Sequence, residues 1–367
     1  GPRRSSGVVW GPGSGDIDPK RIKKIIAPHE CPPMSDTAMK FVEWVAGYAM
    51  HPVGGVLKMA MSVADALDPP QPLTGYILAD EQPNLRMTAT RERVLETAAK
   101  GPPRIAAELG REAGVTPGVI KGLAEAGALQ AISLAPVIMP DTPDPNHPGP
   151  ELSKPQTEAA DKLVQDVEKG GFSVTLLDGV PGAGKTEVYF QAIAATLHRS
   201  RQVLVLLPEI ALSAQWIDRF RVRFGRPPAE WHSDLTQGQR RATWRAVVEG
   251  TARVIVGARS ALFLPFHDLG SIVVDEEHEG AFKQEDGVIY NARDMAVVRA
   301  READVPIILV SATPSLETIV NARDGRFELL LNIANYTSYL DLGTNSLSND
   351  TVHFDASGGT DHIFVNG

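Results

Sequence analysis

Five continuous apolar runs rich in β-branched residues punctuate the second half of the chain: VTLLDG at 174–179, QVLVLLP at 202–208, ARVIVGA at 252–258, SIVVDE at 271–276 and PIILVSA at 306–312. A strand with one face in water alternates apolar and polar positions. These runs do not, which predicts parallel strands covered on both faces. The intervals between them carry apolar positions at helical spacing. From Leu152 to about Leu331 the pattern therefore predicts a doubly wound α/β domain, with ligands at the carboxyl ends of its strands.

Upstream the periodicity is helical. Arg91–Lys100 carries Val94, Leu95 and Ala98 on one face, and 105–113 carries Ile105, Ala106 and Leu109. Thr116-Pro117 reads as an N-cap followed by Pro at the first helical position, and the helix it opens turns Val119, Ile120 and Leu123 inward and stops at Gly127. Three short helices, the last two joined at Gly114, predict a helix-turn-helix or winged-helix unit, a type that contacts DNA in some proteins and docks other proteins elsewhere. Proline marks the boundaries, at DPPQPL (68–73) and at APVIMPDTPDPNHPGPELSKP (135–155), the latter predicting an extended, semi-rigid spacer. The expected organisation is a first domain over 1–72, the helical unit over 85–132, a linker over 133–155, the α/β domain over 156–331 and a tail over 332–367.

At 367 residues and 43% hydrophobic positions, the chain is long enough for more than one core. No apolar run approaches bilayer length and no charged-then-apolar leader is present, so a soluble protein without membrane partners is expected. A single cysteine, Cys31, excludes a disulfide framework within the chain and a cysteine-based zinc cluster, and fits a reducing compartment. The first residue is Gly rather than Met, so the chain is expected to begin inside a longer reading frame or behind a cut tag. A net charge of −9 gives no global attraction to nucleic acid, although residues 1–24 hold Arg3, Arg4, Lys20, Arg21, Lys23 and Lys24 against Asp16 and Asp18.

The stretch LLDGVPGAGKTEVYF at 176–190 carries the most specific chemistry. It is GxxxxGK[ST] between a strand and a helix, with Gly179, Gly182 and Gly184 freeing backbone N–H groups to curl around a polyphosphate. The helix N-terminus adds partial positive charge, Lys185 reaches the terminal phosphates, and the Thr186 hydroxyl is placed for a magnesium ion. SIVVDEEH then puts Asp275, Glu276, Glu277 and His278 where a strand emerges. Asp275 is the expected holder of magnesium, and Glu276 the residue expected to orient or deprotonate the attacking water. Ser311, Ala312 and Thr313 form an SAT triplet able to bridge the carboxylates to neighbouring elements. Gln156, in LSKPQTEA, is a candidate to read the adenine edge. This set in this order resembles a superfamily 2 helicase.

The resemblance narrows with GVPGAGKTEVYF, LLPEIALSAQW, WHSDLTQGQR, VGARSALFLPFHDLGSIVVDEEHEGAFKQEDGVIYNARDMAVVRA and LVSATPSLETIVNARDGRF. Together they are similar to the PriA family of primosomal replication-restart helicases. GVVWG (7–11) and FVEWVAGYAMHPVGGVLKMAM (41–61) resemble the later part of that family's 3′-DNA-end-binding domain, and 88–132 its winged helix. The implied fold is a P-loop RecA-like lobe with a parallel sheet, preceded by a winged helix and a partial β-rich end-binding domain. The implied cofactors are ATP and Mg2+. The implied activity is 3′ to 5′ translocation on single-stranded and forked DNA, with primosome proteins and single-strand-binding protein as partners, in the cytoplasm at the nucleoid. Lys185, Asp275 and Glu276 take the ATPase roles, with His278, Ser311 and Thr313 as couplers. Arg259 and Ser260 fall in the segment implied to touch the sugar-phosphate backbone. Phe282, Lys283, Gln284, Tyr290 and Arg293 fall in an aromatic-rich loop implied to report DNA binding, its rings stacking on bases and its cations taking phosphates. Gly54, Gly55 and Tyr48 are expected to be structural, and His232 is a weaker coupling candidate.

The chain departs from the family where it lacks the first part of the end-binding domain, the second lobe with its arginine finger, and the cysteines that hold zinc in the intact family. The expectation is ATP and DNA binding without unwinding, because an arginine finger contributes about 10³ to 10⁵ in rate. The last stretch, NIANYTSYLDLGTNSLSNDTVHFDASGGTDHIFVNG, resembles nothing in the helicase and reads as β-hairpin material. Competing classes are a non-enzymatic DNA-binding module, another superfamily 2 translocase, and a small-molecule kinase, for which the SAT triplet and DEEH have no use.

Overall fold

The computed structural model describes residues 7–12, 15, 17–69, 73–134, 142–208, 214–331, 352–356 and 359–363. Its first described elements are helices α1 (Asp36–Tyr48) and α2 (Val53–Ala60). Ser35 caps α1 by accepting from the Ala38 N–H at 3.3 Å. Ala38, Phe41, Val42 and Val45 recur at helical spacing and are buried as one stripe. The β-rich character expected of the first segment is thus not found among its described residues, whose apolar spacing is that of a helix.

These helices also lack a core of their own. Phe41, Val42, Val45, Ala46 and Val56 belong to the same apolar cluster as Phe263, Ile272, Val274 and Leu309 of the α/β domain. The Phe41 and Phe263 rings lie 5.4 Å apart, and the Arg299 guanidinium sits 5.0 Å above Phe41. Trp244 Nε1 donates to the Ala60 carbonyl at 2.8 Å. A ring buried this completely contributes roughly 2–3 kcal/mol through apolar burial alone.

A second unit follows: β1 (Leu73–Leu78), α3 (Ala89–Ala99), β2 (Arg104–Ile105), α4 (Ala106–Ala113), α5 (Pro117–Glu125) and β3 (Leu129–Leu134). The strands pair antiparallel in the order β2-β1-β3, which makes the three-helix unit a winged helix. Gly114 closes α4 in the left-handed region at φ 67°, the turn expected between the two helices. Tyr76, Val94, Leu109, Ile120, Leu123 and Leu129 form its separate core. Strand β1 precedes the helical periodicity by several residues and pairs along all of β3, from Leu73–Leu134 to Leu78–Leu129.

Part of the Pro-rich linker, 135–141, lies outside the described residues. From 142 to 153 it holds neither helix nor strand, yet it is not a free spacer. The Asp144 N–H donates to the Phe224 carbonyl at 3.0 Å and Arg223 Nη1 donates to the His147 carbonyl at 2.7 Å, tying it to the α/β domain.

That domain comprises α6 (Lys154–Lys169), β4 (Ser173–Asp178), α7 (Lys185–His198), β5 (Gln202–Leu206), α8 (Ala214–Phe224), β6 (Ala229–Trp231), α9 (Gln237–Val248), β7 (Val254–Gly257), β8 (Leu269–Asp275), β9 (Lys283–Gln284), β10 (Tyr290–Asn291), α10 (Ala292–Ala303), β11 (Pro306–Ser311), α11 (Leu316–Arg323) and β12 (Glu328–Leu331). Seven strands form one all-parallel sheet in the order β12-β4-β11-β8-β5-β7-β6. Side chains of each central strand alternate between two cores. Leu204, Leu206, Ile272, Val274, Ile307 and Leu309 face the cluster shared with α1, whereas Val203, Val205, Val273, Ile308 and Val310 face α6, α7 and α8. This is why the runs read as continuously apolar. Val352–Ala356 and Gly359–Ile363 in the tail pair as an antiparallel hairpin, β13 and β14. Among the described residues, no helix is long and apolar enough to cross a membrane.

Candidate nucleotide site

Sheet register brings the expected motifs together. Ser311 is opposite Asp178 and Val310 is opposite Asp275, so β4, β11 and β8 end level and side by side. The phosphate loop leaves β4, the DEEH segment leaves β8 and the SAT triplet leaves β11. The Gly179 N–H donates to the Ser311 carbonyl at 3.2 Å and the Glu277 N–H to the Val310 carbonyl at 3.0 Å, locking the exits together.

Within the loop, Gly182 and Gly184 hold φ of +81° and +80°, a region open to glycine and strained for other residues. At Gly184 a Cβ would also stand 2.4 Å from Gln156 Nε2. Gln156 Nε2 donates to the Ala183 carbonyl at 2.8 Å while its Oε1 accepts from the Ser153 N–H at 2.8 Å, inside the capping box of α6. The residue expected to read adenine thus spends both ends of its amide on the phosphate loop and its own helix cap.

Lys185 folds its Nζ onto the carbonyls of Gly179 at 2.5 Å and Val180 at 3.2 Å. Burial lowers its pKa against the opposing fields of Glu276, Asp275 and Asp178. Asp275 is 8% exposed, and desolvation pushes its carboxyl up to about 6. Its Oδ1 accepts from the Glu276 N–H at 3.0 Å and its Oδ2 from the Tyr189 hydroxyl at 2.8 Å. Burial likewise raises Asp178. An ammonium ringed by such carboxylates, at the mouth of a loop of backbone N–H groups, suits a polyphosphate with its divalent cation. The cation would favour the ionised carboxylates that burial disfavours.

Glu276 takes a left-handed backbone, φ 53°, which turns the chain so that Glu276 and His278 face the crevice while Glu277 points inward. His278 Nδ1 lies 2.8 Å from Ser311 Oγ and 3.7 Å from Glu276 Oε2, and Ser311 Oγ accepts from the Thr313 N–H at 3.0 Å. The geometry thus connects DEEH to SAT through His278 and Ser311, with Thr313 joined by its backbone. His232 lies apart, 3.3 Å from Glu230.

The expected nucleic-acid residues divide. Phe282 and Tyr290 are 1% and 3% exposed, and Tyr290 packs edge-on to Phe263 at 5.3 Å, so neither ring offers a face to a base. Arg293 is 8% exposed and its Nη1 reaches Glu277 Oε2 at 3.2 Å and Ser315 Oγ at 2.6 Å. Burial corrects these expectations: Phe282 and Tyr290 turn from the loop into the core, and Arg293, in the first turn of α10, is taken up by the Glu277 carboxylate. Arg259 is half-buried and donates to the carbonyls of Ala281 at 3.3 Å and Lys283 at 2.8 Å, pinning that loop. Lys283 and Ser260 remain exposed, Lys283 beside Glu285 at 3.0 Å, and Gln284 Nε2 caps the Asp286 carbonyl at 2.7 Å. In the first segment Gly55 backs onto His51, where a Cβ would lie 2.1 Å from the ring, whereas Tyr48 is 56% exposed and stacked on Trp44 at 5.3 Å. Tyr48 is therefore a surface residue rather than a structural one.

Glu277 was named from the sequence without a role, and Tyr189 and Trp216 were not singled out. Glu277 was legible as the third position of DEEH. Tyr189 and Trp216 carry no motif signal beyond standing in segments already singled out.

Comparison with known proteins agrees with this geometry. Residues 153–322 match the DEAD/DEAH box helicase family and residues 1–62 match the PriA 3′DNA-binding domain. The replication restart protein PriA of Rickettsia felis is 45% identical over 189 residues, 52% of this chain and 28% of that protein. PriA of Bacillus subtilis is 42% identical over 179 residues, covering 49% and 22%. PriA of Chlamydia pneumoniae is 32% identical over 306 residues, covering 78% and 40%. The chain spans less than half the length of each of these relatives. The solved structure of RecG bound to a three-way DNA junction covers 51% of this chain and 24% of that one at 21% identity, with a TM-score of 0.39, too low to transfer the role of any residue. With a helicase-type match over the lobe and a PriA-specific match over the first segment, the chain is similar to the PriA replication restart proteins over the part of their length that it spans.

Proposed function

We infer that this chain binds Mg2+–ATP at the strand ends of its lobe, binds single-stranded or forked DNA, and forms part of an ATP-driven 3′ to 5′ helicase of replication restart. The observation that carries the inference is the level ending of β4, β11 and β8, which gathers Lys185, Asp275, Glu276, His278 and Ser311 around one loop. In the proposed roles, the N–H groups of 179–186 cradle the phosphates and Lys185 exchanges its carbonyl partners for the terminal phosphate oxygens. Thr186 and Asp275 would hold the magnesium ion, which when bound neutralises charge developing on the transferred phosphoryl group. Glu276 orients the attacking water and accepts its proton, and His278 passes the state of that carboxylate to the SAT segment. Gln156 supports the loop from the adenine side. Of the DNA residues expected from the sequence, Ser260 and Lys283 remain candidates for phosphate contact, with Arg259 holding their loop in place. Primosome proteins and single-strand-binding protein are the proposed partners, at the nucleoid.

The test is ATP turnover with and without single-stranded DNA, beside Glu276→Gln, together with nucleotide binding by Lys185→Ala. Nucleotide binding lost in Lys185→Ala and residual turnover lost in Glu276→Gln support the assignment. Turnover unchanged in Glu276→Gln would remove it.

A further inference from the structure

Tyr189 lies just beyond the first turn of α7 and is fully buried, its ring edge-on to Phe190 at 5.3 Å and 90°. Its hydroxyl donates to Asp275 Oδ2 at 2.8 Å and accepts from Trp216 Nε1 at 2.7 Å. One phenol therefore joins Asp275, a residue assigned to the magnesium ion, to Trp216 of α8. Buried hydroxyls and indole N–H groups are rarely left unmatched, and here each group satisfies the next. A phenylalanine would fill the same space and leave Asp275 Oδ2 and Trp216 Nε1 without their shared partner.

Helix α8 is tied to α7 a second time. Arg219 Nε donates to Glu187 Oε1 at 3.1 Å, with its Nη2 on Glu187 Oε2, and Glu187 follows Thr186 directly. Trp216 stacks on Phe220 at 5.4 Å within α8, so a shift of its indole is a shift of the helix. Any movement of α8 against the start of α7 must break the hydroxyl relay or the ion pair.

We propose that Tyr189 is a positioning residue, holding the Asp275 carboxylate in register for the divalent cation and relaying its arrival to Trp216, so that α8 responds to metal–nucleotide binding. This rests on the nucleotide function inferred above. The test uses the full chain and measures ADP affinity with and without Mg2+ together with tryptophan emission, for the wild type, Tyr189→Phe, Trp216→Phe and Lys185→Ala.

In the wild type Mg2+ tightens ADP binding and changes the emission. Tyr189→Phe keeps its metal-free affinity and loses roughly tenfold of the Mg2+-dependent gain, the scale of one hydrogen bond to a charged group, along with the emission change. Trp216→Phe keeps the Tyr189–Asp275 bond, so it retains most of the Mg2+ gain while the emission change disappears. A full Mg2+ gain in Tyr189→Phe overturns the positioning role, and an emission change that survives in Trp216→Phe overturns the relay. Should Tyr189→Phe lack a cooperative melt, the emission arm of Trp216→Phe decides. A wild type that binds ADP no better than Lys185→Ala removes the nucleotide function itself and the proposal with it.

Discussion

Arg293 offers the sharpest test of burial against resemblance. The family likeness places it among DNA contacts, but the fold makes it the counter-ion of a carboxylate with no exposed side-chain surface. Glu277 accepts from Arg293 Nη1 at 3.2 Å, the Ser315 N–H at 2.7 Å, Ser315 Oγ at 3.1 Å and Thr318 Oγ1 at 3.0 Å. It thereby fastens the DEEH turn to the cap of α11, since Ser315 Oγ also accepts from the Thr318 N–H at 3.3 Å. Replacing Arg293 with Met preserves length and apolar packing but strands the charge of Glu277. Removing one partner of a buried pair costs about 3–5 kcal/mol. The contact with Asp294 adds little, because that carboxylate is 46% exposed. With a urea slope of about 2–3 kcal/mol/M for a domain of this size, the unfolding midpoint should fall by roughly 1–2.5 M. Glu277→Gln/Arg293→Met should be less destabilised than the sum of its single changes, since the stranded charge is gone. The assays are urea unfolding and single-stranded DNA affinity across a salt series. An Arg293→Met chain with an unmoved midpoint and a DNA salt dependence reduced by about one unit of slope would refute the structural assignment and restore the arginine to a phosphate.

Asp275→Asn should stabilise the metal-free chain near pH 7.5 by about 1–3 kcal/mol, from a carboxyl pushed up to about 6 in the fold. The sign follows from that upward shift: the folded state binds the proton more tightly, so wild-type stability falls as pH rises from about 4 through 6, and the gain from Asn in urea stability should shrink by about half near pH 5 and vanish below about pH 4. Phe41→Ala should lower the unfolding free energy of the α/β domain by about 3–5 kcal/mol, because the ring lies in that domain's core; a loss confined to proteolysis of the first segment would contradict this. Gly184→Ala should cost about 1–2 kcal/mol from its φ of +80° and weaken nucleotide binding by displacing Gln156, measurable by calorimetry. Lys283→Ala should weaken DNA binding with a shallower salt slope and leave the urea midpoint unchanged, whereas Arg259→Ala should loosen the 281–284 loop, seen as faster amide exchange there.

The parallel sheet, the phosphate loop and the order of the motifs were legible in the amino-acid sequence. Each is a local pattern: unbroken β-branched runs, glycines where φ must be positive, carboxylates directly after an apolar strand. The short edge strands β6 and β12 escaped because three or four residues carry too little periodicity to separate from loop. Strand β1 escaped because its only support is pairing with β3, distant in sequence. Tertiary structure alone decided which polar and aromatic groups face the crevice. Phe282, Tyr290 and Arg293 look the same in sequence whether they meet a base or a core, and the choice depends on how the 280–291 loop and the first turn of α10 pack onto the lobe. Tyr189 became visible only when sheet register carried Asp275 to within 2.8 Å of its hydroxyl. The first segment, separated in sequence by prolines, shares the lobe's core because Phe41 needs an apolar neighbour and Phe263 supplies it. Pairings across long stretches of chain leave no periodic trace in sequence, and they are what settled these positions.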